Sequence, residues 1–170
     1  MKGNLYNIKG AVAECIMSNG VVVLVSASSL PLLQQYTWCL AGNGYAMTRS
    51  RKPSISMHRL LMDAAPGYIV DHIDRNPLNN TLENLRVCTK QENSINTGVR
   101  SDNSVGFKGV SFQKKSGKFR AYIGVNGKQR HLGLFDKAED AAARYMEVAQ
   151  ELFGAFVPDL QEGDAHEITA

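Results

Sequence analysis

The rhythm of hydrophobic and polar residues changes several times along the chain, and each change predicts an element. Residues 20–26, GVVVLVS, form an apolar run of strand length, which predicts a buried strand. A short helical or turn segment through Leu30-Pro31-Leu32-Leu33 follows, then a strand around Tyr36–Leu40. Gly42-Asn43-Gly44 is a hairpin signal, because these residues tolerate positive φ, and Tyr45 to Thr48 returns as a strand. Ile55 to Met62 continues as an apolar element, and Pro66-Gly67 is the next turn. Tyr68-Ile69-Val70 reads as a strand ending at Asp71-His72, and Leu85-Arg86-Val87-Cys88 as a second short strand. Lys90 to about Thr97 can form a helix, with Thr89 as N-cap and Glu92 three residues on. Strand, asparagine-rich loop, strand and helix make a ββα unit over about residues 66–98.

A polar, glycine-containing stretch, TGVRSDNS (residues 97–104), breaks the pattern, and the linker is set at residues 99–103. Beyond it Phe107–Phe112 alternates like a half-buried strand, and Phe119, Ala121, Ile123 and Val125 share one face of a second. Lys118, Arg120 and Tyr122 take the opposite face. Asn126-Gly127 is a two-residue hairpin turn, and a third strand runs from about Lys128 to Phe135. Asp136 and Glu139 are spaced as a capping box, and Ala138, Ala141, Ala142, Tyr145, Val148, Ala149 and Leu152 follow a helical period. The expected fold class is α+β. A small mixed unit (1–98) precedes residues 104–158, a three-stranded antiparallel sheet packed on one helix, and an acidic tail (159–170) follows.

Composition adds two points. The 170 residues carry a net charge of only +3, yet residues 99–135 hold eight Lys/Arg against one acid, and residues 136–170 hold nine acids against two bases. A concentrated basic sheet beside a candidate hydrolytic motif suits a polyanion such as nucleic acid. Cys15, Cys39 and Cys88 are odd in number and form no C-x-x-C pair, which argues against a zinc knuckle and for reduced thiols. No run approaches the roughly 20 apolar residues of a membrane span, and the N-terminus shows no secretory h-region. The expected setting is a reducing cytoplasm.

The candidate chemistry lies in YIVDHIDRNPLNNTLENLRVCTKQEN, residues 68–93. Phosphodiester hydrolysis needs a base for water, a cation on the phosphate, and rigid placement of both. His72 is a base suited to neutral pH. Asp71 and Asn93 are hard oxygen donors suited to Mg2+ (or Mn2+). Asn76, Asn79 and Asn80 read as loop formers, Asn80 being the best placed to brace the loop. His58 and Arg59, in MHRLL, either approach the scissile phosphate or simply end an element at the surface. Trp38 reads as core and His131, on the third strand, as a surface or sheet residue with no chemical role.

The spacing D-H-x(11)-N-x(8)-N of Asp71, His72, Asn84 and Asn93, within MHRLL…PGYIVDHIDRNPLNNTLENLR, resembles HNH endonucleases of the ββα-metal type from phages and introns. The resemblance implies a nuclease with His72 as general base, Asp71 and Asn93 on the metal, and Asn84 bracing the loop. It implies double-stranded DNA as partner, met as monomer or dimer in a bacterial host cytoplasm, and a homing or phage-encoded role. The stretch KGVSFQKKSGKFRAYIGVNGKQRHLGLFDKAEDAAARYMEVAQELFGAF is similar to the Apetala-type DNA-binding domain of plant ethylene-response factors. By face and by that match, Lys108, Lys114, Lys118, Arg120, Lys128 and Arg130 are expected on DNA. A catalytically inert, sequence-specific DNA-binding regulator is the alternative function.

Overall fold

The computed structural model describes residues 3–49 and 53–158, so the acidic tail expected at 159–170 lies outside the described residues. The chain divides into two compact units between Thr89 and Lys90.

In the N-terminal unit a four-stranded sheet is built on β1 (Leu5–Lys9), β2 (Val12–Ile16) and β3 (Val22–Ser26). The β1–β2 hairpin turns at Gly10, whose φ of 66° suits glycine. Neither strand is visible in the sequence rhythm, because Leu5 and Ile8 of LYNIK are both exposed and blur the alternation. The inner face of β2 and β3 presents Ala13, Cys15, Val23 and Val25 to Leu33 of α1 (Leu30–Leu33), to Trp38 of β4 (Trp38–Leu40) and to Met57. Trp38 is fully buried and donates its indole N–H to the Leu33 carbonyl at 2.9 Å, so it is a core residue. β4 pairs with β5 (Ala46–Thr48) across the Gly42-Asn43-Gly44 turn.

The apolar stretch from Ile55 is helical only as α2 (Met57–Met62), which Asp63 ends in the left-handed conformation, φ 43°. Next come β6 (Ile69–His72), β7 (Asn79–Asn80) and β8 (Leu85–Cys88). β6 and β8 pair antiparallel, Asp71 facing Arg86 and His72 facing Leu85. β7 pairs parallel to β3, Leu24 with Asn79 and Val25 with Asn80, which fastens the asparagine-rich loop to the first sheet.

The C-terminal unit contains α3 (Lys90–Asn96), a sheet of order β11-β10-β9, and α4 (Ala138–Phe153) packed on one face. The strands are β9 (Val110–Gln113), β10 (Lys118–Val125) and β11 (Lys128–Phe135). β9 starts at Val110, later than the alternation from Phe107 suggests, because Gly109 adopts φ 69°. A Cβ at Gly109 would lie 2.2 Å from the Tyr145 ring and 2.6 Å from the Tyr122 carbonyl, so helix and sheet close on a site that admits only glycine. The Asn126-Gly127 turn has positive φ at both residues, as a type I′ hairpin requires.

α4 also differs at its start. Its N-cap is Lys137 with no side-chain cap, so Asp136 and Glu139 do not form a capping box; Asp136 instead pairs with Lys118 Nζ at 3.1 Å. Buried Ala141, Tyr145, Val148 and Ala149 face the sheet. No helix among the described residues is long and apolar enough to cross a membrane.

Candidate functional site

The end of β6 places two acid–base groups in a dry setting: Asp71 is 8% exposed and His72 5%. Arg86, opposite Asp71 on β8, donates Nε and Nη2 to Asp71 Oδ2 at 2.9 and 2.8 Å. Burial pushes the His72 imidazole below its usual pKa, and the Asn80 side chain, Asp74 and Asp71 push it back up. The net lowering leaves a neutral ring at pH 7 that can accept a proton.

The loop after His72 is held by its own amides. Asn84 Oδ1 accepts from Asp74 N at 3.0 Å, while Nδ2 donates to Asp74 Oδ1 and the Asn79 carbonyl, both at 2.8 Å. Asn76 Oδ1 accepts from Leu78 N, and Asn79 Oδ1 from the Thr81 hydroxyl. Asn80, fully buried, donates to the Pro77 carbonyl. Asp74 gathers the Asn76 N–H and the amides of Asn79 and Asn84; burial raises its pKa, but these bonds outweigh it and hold the carboxyl below its usual range. Leu24 N bonds the Leu78 carbonyl and Leu82 N the Ser26 hydroxyl, so the loop is fixed to β3 as well.

His58 and Arg59 separate in role. Arg59 donates to the carbonyls of Tyr68 and Ala64 at 2.9 and 3.2 Å, holding the connection from α2 to β6. His58 is buried rather than at the surface, with its ring 5.2 Å from the His72 ring and 5.0 Å from Tyr45. Its Nδ1 is buried without a hydrogen-bond partner. The sequence marks His58 as a candidate near the phosphate, but its contact with His72 is made across two elements and is not visible in the spacing.

The basic residues of the C-terminal unit are not equivalent. Directly paired residues of an antiparallel ladder share a face. Arg120 pairs with Ser111 and Leu134 on the face away from α4; its guanidinium lies 5.3 Å from the Tyr122 ring centroid and bonds Gln129. A bulge between Ala121 and Tyr122 shifts the register, so Tyr122 meets His131 and Gly124 meets Gln129. His131 and Gln129 therefore flank Arg120, whereas Lys128 and Arg130 pair with Val125 and Ile123 and sit, exposed, on the other side. Lys114 is exposed in the turn after β9. Lys108 is half-buried, with its ammonium on carbonyls of Ser94, Ile95 and Thr97.

Residues 58–95 match the sequence profile of an HNH endonuclease family. The chain is also 34% identical over 143 residues to an uncharacterized HNH endonuclease of Acanthamoeba polyphaga mimivirus, covering 81% of this chain and 73% of the viral protein. This chain belongs to the HNH endonuclease family. The HNH endonuclease is further similar to Protein 3.8 of Escherichia phage T7, at 40% identity over 90 residues, 53% of this chain and 74% of the phage protein. No solved structure matches it significantly. The matched segment begins at His58 and takes in the whole asparagine-braced loop.

Proposed function

We propose that this HNH endonuclease hydrolyses phosphodiester bonds of double-stranded DNA in a divalent-cation-dependent reaction, with His72 as general base. The observation that carries the reading is the buried, neutral His72 at the end of β6, next to a buried carboxylate and held by a loop braced through Asn84. His72 takes the proton of the attacking water at a ring nitrogen. Asn84 keeps the loop rigid so that the imidazole does not drift from the reacting phosphate, where an ångström of misplacement is costly.

Among the described residues no three His, Cys, Asp or Glu side chains converge as a metal cage. Mg2+ or Mn2+ does not need one, since such ions bind through one or two protein oxygens together with substrate phosphate and water. Asp71 and Asn93 fit that donor set, and a cation held by them would stabilise charge on the phosphate and the leaving oxygen. Arg86 orients the Asp71 carboxylate through Oδ2.

We read residues 104–158 as an Apetala-type DNA-binding domain, a reading supported by three antiparallel strands on a single helix and by the basic open face. Arg120 and Lys118 on that face, with Lys114 in the turn after β9, would meet phosphates and bases; Lys128 and Arg130, on the other side of the sheet, are left out of that set. The viral and phage sources of the relatives support a homing-type or phage-encoded role.

Nicking of a supercoiled plasmid with Mg2+ tests the proposal. His72→Ala should lower the rate by about 10²–10⁴-fold, the usual worth of a general base. Unchanged cleavage by that variant would overturn the mechanism.

A further inference from the structure

The family match, residues 58–95, runs across the boundary between the two compact units. Asp71, His72 and Asn84 precede Thr89, while Asn93 follows it on α3. Within the C-terminal unit α3 is fastened at both ends. At its C-terminal end Lys108 Nζ donates to the carbonyls of Ser94, Ile95 and Thr97 at 2.6, 2.8 and 2.5 Å. An ammonium has three N–H donors, and the last turn of a helix has carbonyls in need of them and a negative dipole end. Near the start of α3, Gln91 Oε1 accepts the backbone N–H of Asn126 at 2.6 Å. Asn126 opens the turn between the two long strands of the basic sheet.

The segment carrying Lys108 is itself rigid. Asn103 bonds the Phe107 carbonyl and the N–H groups of Val105 and Gly106, and Gly109 is locked against Tyr145. A lysine serving a DNA phosphate would keep its ammonium in solvent. Lys108 has committed its ammonium to a helix end instead.

We propose that Lys108 and Gln91 are positioning residues for Asn93: they tie α3 to the basic sheet, so the unit that grips DNA also sets where Asn93 stands. The inference rests on the reading of Asn93 as a residue that holds the divalent cation. It also removes Lys108 from the DNA-contacting set.

The test uses the full chain and four variants: Lys108→Met, Gln91→Ala, Arg120→Ala and Asn93→Ala. Lys108→Met and Gln91→Ala should each lower kcat about 10–100-fold, the usual effect of losing a partner that orients a metal-holding residue. Raised Mg2+ should restore part of that loss. KM for DNA and the salt slope of metal-free DNA binding should stay at wild-type values, and hydrogen exchange in α3 should quicken. Arg120→Ala should instead reduce the salt slope of DNA binding by about one and leave hydrogen exchange in α3 at the wild-type rate. Should Lys108→Met unfold the C-terminal unit, Gln91→Ala decides alone, because it removes one hydrogen bond. A reduced salt slope with normal kcat in Lys108→Met would make Lys108 a phosphate contact and overturn the proposal. Normal cleavage by Asn93→Ala would sink the reading of the site itself. An inactive Asn93→Ala beside fully active Lys108→Met and Gln91→Ala would sink the positioning role alone.

Discussion

His58→Phe isolates what a buried imidazole costs the fold. The ring is 9% exposed, Nδ1 has no hydrogen-bond partner, and burial first, then the charges of His72 and Arg59, push its pKa from 6.5 down to about 4. The folded value is depressed, so between pH 6.5 and 4 the unfolded chain binds a proton that the folded chain refuses. Stability from this group is intact above that window and declines as pH falls through it. One proton contributes about 1.4 kcal/mol per pH unit, or about 3 kcal/mol across the window. Phenylalanine keeps the ring contacts with Tyr45 and His72 and removes the buried nitrogen, whose lack of a partner costs about 1–3 kcal/mol. At pH 7 the variant should therefore be at least as stable as the wild type, and its stability should fall less steeply toward pH 4.5. His72, also depressed by burial, keeps some slope in both proteins. Urea unfolding followed by fluorescence reads the N-terminal unit cleanly, because the chain has one tryptophan and Trp38 is buried there. Identical pH slopes for the two proteins would refute the reasoning.

Asn84→Ala removes three hydrogen bonds, one of them to the Asp74 carboxylate, and should destabilise the N-terminal unit by about 2–4 kcal/mol at pH 7 in the same unfolding assay. Asp74 is held below its usual pKa, so its contribution is present above the unfolded carboxylate value and is lost as pH falls through the folded one; the difference between the proteins should narrow in acid. Gly109→Ala combines a φ of 69° with a clash against Tyr145 and the Tyr122 carbonyl, a cost of about 2–5 kcal/mol. It should speed hydrogen exchange throughout β10, and an unchanged exchange pattern would contradict the packing described.

Local signals were legible and long-range ones were not. Asn126-Gly127 predicted its hairpin because the turn chemistry is complete in two residues. The alternation of Phe119, Ala121, Ile123 and Val125 predicted the helix-covered face because period 2 leaves no other option. The bulge opposite Ala121 and Tyr122 is silent in KQRHLGLF, and it reassigns His131 and Gln129 to the open face in place of Lys128 and Arg130. The strand pair Tyr68–His72 and Leu85–Cys88 was readable from its apolar residues. Its attachment to the first sheet was not, because β7 is two asparagines recruited by backbone pairing rather than by hydrophobicity. In the same way, the spacing D-H-x(11)-N-x(8)-N gave the motif, but His58 beside His72 and Arg86 on Asp71 are contacts made across elements.

The parallel pairing of β7 with β3 has a consequence for how an active molecule comes into being. Leu82 and Ser26, which bond across this junction, lie 56 positions apart along the chain. Closing so long a loop costs entropy that only completed contacts return, so such pairings form slowly. The loop behind His72 is braced by its own amides, and the first sheet adds the backbone pairing that receives Asn79 and Asn80. A fragment beginning after Ser26 would carry the whole motif and lack the surface on which it sets, so a working nuclease is expected to need β3 as well as the motif.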